Sequence, residues 1–183
     1  IGGMNIPLIQ KFEMAYTTGA KYVNPKINVL IGYVGVSVEA WNNPTKAQEI
    51  ALSQFNQGAD IIFHAAGGSG IGVFNAAEKA NKINAKKYAI GCDSNQNWIK
   101  PGFILTSMTK DIEKSVIDTV KSVVENKFTT GLYTYEISNG GVNWAFDKYN
   151  KDLFTAAEVE KINLIKNNLA LNKIQTLSKE AKN

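Results

Sequence analysis

The stretch Gly58-Ala-Asp-Ile-Ile-Phe-His64-Ala-Ala-Gly67-Gly68-Ser69-Gly70-Ile-Gly72 decides the fold. Gly58 stops what precedes it, and the apolar run that follows, about 59–65, has the length and composition of a buried strand. The glycine-rich turn then leads into Val73, Phe74 and Ala77, which share one helical face. Strand, tight turn and helix in that order make half of a β-α-β unit, whose crossover is right-handed and whose sheet is covered on both faces.

Working outward, the same alternation continues. Strands are expected at 28–35, 87–92, 103–108, 132–138 and 142–146. Helices are expected at about 6–20, opened by Pro7; at 44–57, capped by Asn42 or Asn43 with Pro44 in the first turn; at 70–82; and at 110–126. The 44–57 helix buries Ala47, Ile50, Ala51 and Phe55, and the 110–126 helix aligns Ile112, Val116, Val120 and Val123/Val124. Thr155-Ala-Ala-Glu158 is a capping box that opens a Lys- and Asn-rich helix with Val159, Ile162, Ile165 and Leu169 inward. The fold class is therefore α/β, a parallel sheet flanked by helices.

Composition removes several functions. The 20 basic residues are all Lys, and without the bidentate fork of Arg a nucleic-acid groove is not expected. One Cys (Cys92) forms no internal disulfide, and with one His (His64) it makes no zinc site, so neither metal nor cofactor is expected. No apolar run reaches the roughly 20 residues of a membrane helix. Ile1-Gly-Gly reads as the end of a strand already under way, so the natural protein is expected to begin further upstream.

In an open α/β sheet the ligand sits outside the carboxyl ends of the strands. Those ends bring Trp41, the turn at Gly67, Asp93 and Lys110 towards one rim, with no catalytic residue among them. Trp41 offers a flat ring for stacking, or simply packs. Asp93 suits two hydrogen bonds from vicinal hydroxyls and suits a helix cap equally. Lys110, read as the start of a helix, opposes the helix dipole and so invites a ligand; it also fits an ordinary surface lysine. Gly68-x-Gly70-x-Gly72 puts the third glycine of a dinucleotide fingerprint one residue early, and no Lys follows to make a phosphate loop. Glycines that merely let a helix approach a strand explain the turn as well. His64, with no nucleophile beside it, reads as a satisfied structural histidine.

Four segments together resemble the basic membrane protein family, the substrate-binding lipoproteins of ABC transporters that include purine-nucleoside receptors. They are Ile1-Gly-Gly-Met4 with Phe12, Tyr16, Gly19 and Ala20; the 58–72 stretch; Ile90-Gly91-x-Asp93-x-x-Gln96; and Leu105-Thr-Ser107-Met108-x-Lys110. The resemblance covers about the first 145 residues and departs from the family at Ala15, Trp41 and Asn95, where Gly, Phe and Asp are usual. It implies one lobe, mainly the C-terminal one, of a type I periplasmic-binding-protein fold over 1–150, followed by a helical tail over 151–183. Helix 110–126 would then join the other lobe, and in this chain it is expected to pack elsewhere, for instance against a second copy. By motif, Trp41 would stack on a purine, Gly67 would bring backbone to the ligand, and Asp93 and Lys110 would hold the ribose hydroxyls. The resemblance further implies an extracytoplasmic lipid-anchored receptor that hands a nucleoside to an ABC permease. Two rivals remain: a nucleoside-acting or nucleotide-dependent α/β enzyme using Asp93, and a non-transport surface sensor or antigen of the same fold.

Overall fold

The computed structural model describes residues 1–81 and 86–174. Strand β1 (Gly2–Met4) leads into α1 (Pro7–Val23), and β2 (Tyr33–Gly35) leads through a 3-10 turn, Val38–Asn42, into α2 (Pro44–Asn56). Strand β3 (Ile61–Phe63) leads through the turn Gly67–Ser69 into α3 (Gly70–Asn81). Then come β4 (Tyr88–Gly91), β5 (Ile104–Lys110), α4 (Ile112–Val124), β6 (Val142–Trp144) and α5 (Ala156–Ala170).

Strands β1 and β2 pair in parallel, as do β3 with β4 and β4 with β5, while β6 runs antiparallel to β5. The two groups join where β3 continues past its end. The Gly3 N–H donates to the Ala65 carbonyl at 2.9 Å, and the Ala65 N–H donates to the Ile1 carbonyl at 2.8 Å. The strand order is thus β2-β1-β3-β4-β5-β6, the twofold-covered α/β sheet expected. Solvent-inaccessible Ala47, Ala51, Val73, Phe74, Ala77, Ala89 and Ile104 pack α2 and α3 on one face. A side chain the size of Phe74 or Ile104 stabilises by about 1.5–3 kcal/mol when fully buried. On the other face, Ile9 of α1 covers Ala65 and Cys92.

Two glycines of the deciding stretch serve this packing. A Cβ at Gly72 would lie 1.9 Å from the Pro44 carbonyl oxygen, and one at Gly70 would lie 2.2 Å from the His64 ring. Close approach of α3 to α2 and β3, rather than phosphate binding, accounts for both.

Several boundaries differ from expectation. Strand β2 covers only the end of 28–35, because its partner β1 offers three residues to pair with. No strand forms at 132–138. Leu132 is 96% exposed there, and Glu136 and Asn139 instead close a capping box around the turn Ile137–Asn139. The helix expected at 110–126 starts two residues later, with Asp111 as its cap accepting from the Lys114 N–H. Lys110 is therefore the last residue of β5, held by pairing with Val142, and the helix-dipole argument for it does not apply. Helix α4 buries none of its residues, and Val116 and Val120 are each 56% exposed. In α5 the capping box forms and Val159, Ile162, Ile165 and Leu169 are half-buried. Residue 82 of the third expected helix and residues 175–183 of the expected tail lie outside the described residues.

Candidate functional site

The carboxyl ends of the parallel strands carry the four candidate residues as two pairs. Asp93 follows β4 with a left-handed backbone, φ 72°, which turns the chain sharply across the rim. Its Oδ1 lies 2.7 Å from the Lys110 Nζ, with side chains 57% and 40% exposed. The Lys110 backbone N–H also donates to the Asp93 carbonyl at 2.9 Å. Below the ammonium lies the ring of Phe12, 4.9 Å from Nζ to centroid, a cation–π contact that fixes the lysine from its apolar side. The sequence shows Phe12 only as a helix-face residue and a family match; its place under Lys110 is a product of the fold.

Trp41 and Gly67 form the second pair. The Trp41 ring stands against Gly3, where a Cβ would fall 2.5 Å from Cε3, and the ring is half-buried. Gly67 has φ +56°, and a Cβ there would meet the Trp41 carbonyl oxygen at 3.3 Å. The buried Ser69 hydroxyl clasps the two turns together, donating to the Ala40 carbonyl and accepting from the Asn43 N–H, both at 2.7 Å. Ile9, Ala65 and Cys92, with Phe12, Trp41 and Met108 against them, are the common floor of both pairs.

A buried polar network fixes the loop that bears Asp93. The Gln96 side-chain oxygen accepts from the Cys92 N–H at 2.9 Å and from His64 Nε2 at 3.1 Å. The Gln96 N–H donates to Ser107 Oγ, and Ser107 Oγ donates to Asn97 Oδ1. Asn97 and Asn95 both donate to Asp147 Oδ2, at 3.2 and 2.6 Å, so the loop is tied to the chain beyond β6. Burial pushes the Asp147 carboxyl up, but donors from Asn95, Tyr149, Asn97 and Asn150 outweigh it and hold the group below its usual range. Asn95, where the family usually has Asp, supplies a donor that a carboxylate could not. Nothing in the local sequence signals Asp147, because its partners lie 50 or so residues away.

His64 is 1% exposed and burial drives its pKa down to about 4, so it is a neutral ring near pH 7. Its Nδ1 is buried without a partner among the described residues, so the histidine is structural but only half satisfied. The Cys92 thiol is pushed up to about 12 by burial and by the Asp93 charge, which leaves it protonated and unreactive. A partly open cavity of about 450 Å³ lies elsewhere, between α1 and the sheet, and the four rim residues do not line it. The rim itself is an open shelf: a ring, an exposed backbone turn, a carboxylate and an ammonium facing outward.

A family model described as Bmp, ABC transporter substrate-binding protein PnrA-like, matches residues 1–180. The ABC transporter nucleoside-binding protein BmpA of Lactococcus lactis subsp. cremoris is 33% identical over 178 residues, which is 90% of this chain and 50% of that protein. Basic membrane protein A2 of Borrelia garinii subsp. bavariensis is 34% identical over 146 residues, 79% of this chain and 41% of that protein. The chain thus spans about half the length of the curated relatives it matches. The crystal structure of an ABC transporter solute-binding protein from Aeropyrum pernix superposes with a TM-score of 0.77 at 20% identity, covering 96% of this chain and 55% of that one. That likeness carries the fold alone.

Proposed function

Because this chain belongs to the PnrA-like family of ABC transporter substrate-binding proteins, we propose that its full-length protein binds a purine nucleoside or similar ribosyl ligand and delivers it to an ABC permease. In this reading 1–150 is one ligand-binding lobe, and the other lobe grips the opposite side of the ligand. The observation that carries the reading is the exposed Asp93–Lys110 pair, held at the rim by a backbone hydrogen bond and the Phe12 ring.

A carboxylate accepts from two vicinal hydroxyls, and an ammonium donates to their lone pairs, so the pair presents both halves of a ribose edge. Trp41 supplies a ring on which a purine stacks, worth about 1–3 kcal/mol, and Gly67 leaves the backbone bare beside it. Binding needs no bond-making step, and we assign no catalytic role. Following the family, we place the protein outside the cytoplasm on a lipid anchor; among the described residues no helix is long and apolar enough to cross a membrane.

Isothermal titration of guanosine, adenosine and inosine into the full-length protein and into this chain tests the reading. Tight binding by the first and none by the second is expected. No binding by either overturns the nucleoside assignment, and release of free base from inosine would replace it with a hydrolase.

A further inference from the structure

Asp93 keeps its left-handed backbone, φ 72°, in an exposed turn, and a residue with a side chain holds that conformation only where its surroundings over-determine it. Two ties come from the sheet side. The Lys110 N–H donates to the Asp93 carbonyl, and the Gln96 N–H donates to Ser107 Oγ at 3.0 Å. The exposed stretch between them, Ser94-Asn95, is held from the opposite side by a single carboxylate. Asp147 Oδ2 accepts from the Asn95 amide at 2.6 Å and from the Asn97 amide at 3.2 Å. Asn95 passes that hold along the loop: its Oδ1 accepts from the Asn97 N–H at 3.0 Å, and its carbonyl accepts from Trp98 Nε1 at 3.1 Å.

Asp147 is fixed without help from the loop. Its Oδ1 accepts from the Tyr149 N–H at 2.7 Å, and its own N–H donates to Asn150 Oδ1 at 2.8 Å. Asn150 is 1% exposed and donates to the Leu105 and Ala145 carbonyls, both at 2.9 Å. Hydrogen bonds thus run unbroken from the end of the sheet to the turn that bears Asp93. Both bonds that Oδ2 accepts come from this loop, and neither belongs to a helix or a strand ladder. Positions 95 and 147 are also matched in charge. An Asp at 95 would set a second carboxylate against the first, with no donor between them.

We propose that Asp147 is a positioning residue, acting through Asn95 and Asn97 to set where the Asp93–Lys110 edge meets a ligand. The effect on binding rests on the nucleoside reading; the hold on the loop does not. Asp93 and Lys110 remain the groups that touch the ligand.

The test uses the full-length protein as wild type, as Asn95→Asp, and as the exchange Asn95→Asp with Asp147→Asn, in which an amide again faces a carboxylate. The first readout needs no ligand: amide hydrogen exchange by NMR at Gln96 and Lys110, with buried Ala89 of β4 as the reference. Exchange about tenfold faster in Asn95→Asp with Ala89 unchanged, returning to within about threefold of wild type in the exchanged pair, is expected. Equal exchange in all three overturns the proposal, and so does exchange that stays fast in the pair. The second readout is the ratio of affinities for a ribonucleoside and its 2′-deoxy analogue, by titration calorimetry. That ratio should fall about tenfold in Asn95→Asp and return in the exchanged pair. Equal losses for both ligands would make Asp147 merely structural and overturn its positioning role. If the wild type binds neither, the nucleoside reading fails and the exchange rates alone decide the hold on the loop.

Discussion

Lys110 reaches Asp93 twice, placing its Nζ 2.7 Å from the carboxylate while its backbone N–H donates to the Asp93 carbonyl at 2.9 Å. The second contact is independent of the side chains, so it sets the distance between the two residues before any charge acts. As an ion pair between exposed groups this contact is worth at most about 1 kcal/mol to the fold. In the proposed reading the pair acts as a preformed acceptor–donor edge for a ligand rather than as a stabilising bridge.

The first prediction follows from that. In the full-length protein, Asp93→Ala should weaken ribonucleoside binding by a hundredfold or more while shifting the melting temperature by only a degree or two. The wild type should reject 2′-deoxynucleosides by a comparable factor, because the pair would be left unsatisfied. Titration calorimetry measures both, and equal affinity for ribo- and deoxynucleosides would remove Asp93 from the site.

Acid should act through His64. Its pKa in the fold is about 4, against an ordinary value of 6.5. A group depressed in this way favours the folded state fully above its unfolded value, and that contribution is lost as pH falls from about 6.5 towards 4, since the unfolded chain takes up the proton first. The total is about 3 kcal/mol. Denaturant melts of the wild type and His64→Gln across pH 4–7 should show a much flatter dependence in the variant.

Cys92 should be silent. With its thiol buried and raised to about 12, a disulfide reagent at pH 8 should not label the native chain within hours, yet should label it at once in denaturant. Rapid labelling without denaturant would show that the apolar floor of the rim opens readily.

Two glycines give opposite outcomes. Gly72→Ala forces a methyl group to 1.9 Å from the Pro44 carbonyl oxygen and should cost about 3 kcal/mol or more. Gly19, inside α1, has nothing within 4 Å of an added Cβ, and Gly19→Ala should stabilise by about 0.5–1 kcal/mol. Urea unfolding of the two variants decides the contrast.

The exposed stripe of α4 provides the fifth test. Replacing Val116 and Val120 together by Lys should change stability by less than about 1 kcal/mol, since neither is buried. If copies associate through this face, the substitution also abolishes concentration-dependent sedimentation. Association that persists in the variant would move the contact elsewhere.

How far the residues alone reveal this molecule depends on how local each signal is. Pro44 with Asn43, and Thr155 with Glu158, set their helices through contacts within one turn, and both caps form. The strand-turn-helix at 58–72 is legible because burial writes itself as an unbroken apolar run. Strand limits are another matter, since a strand exists only where a neighbour pairs with it. For that reason 28–32 and 132–138 carry β-favouring residues and still form no ladder, while β5 runs on to Lys110 because Val142 is opposite. The candidate site divides the same way. Trp41, Gly67, Asp93 and Lys110 stand near strand ends and could be read off in order, but Phe12 beneath Lys110 and Asp147 behind Asn95 and Asn97 meet their partners only through the fold.

The chain leaves the sheet at Lys110 and returns at Val142, two residues that face each other in the β5–β6 register, and Asp111 still bonds Gly141 at 2.9 Å just beyond. Everything in between is an excursion through a single doorway. Because its two ends are already pinned side by side, the length and content of that excursion add little closure entropy to the sheet. The doorway thus holds Lys110 on its threshold by main-chain pairing to Val142 and by the Asp111–Gly141 bond, whatever the side chains of 111–141 do.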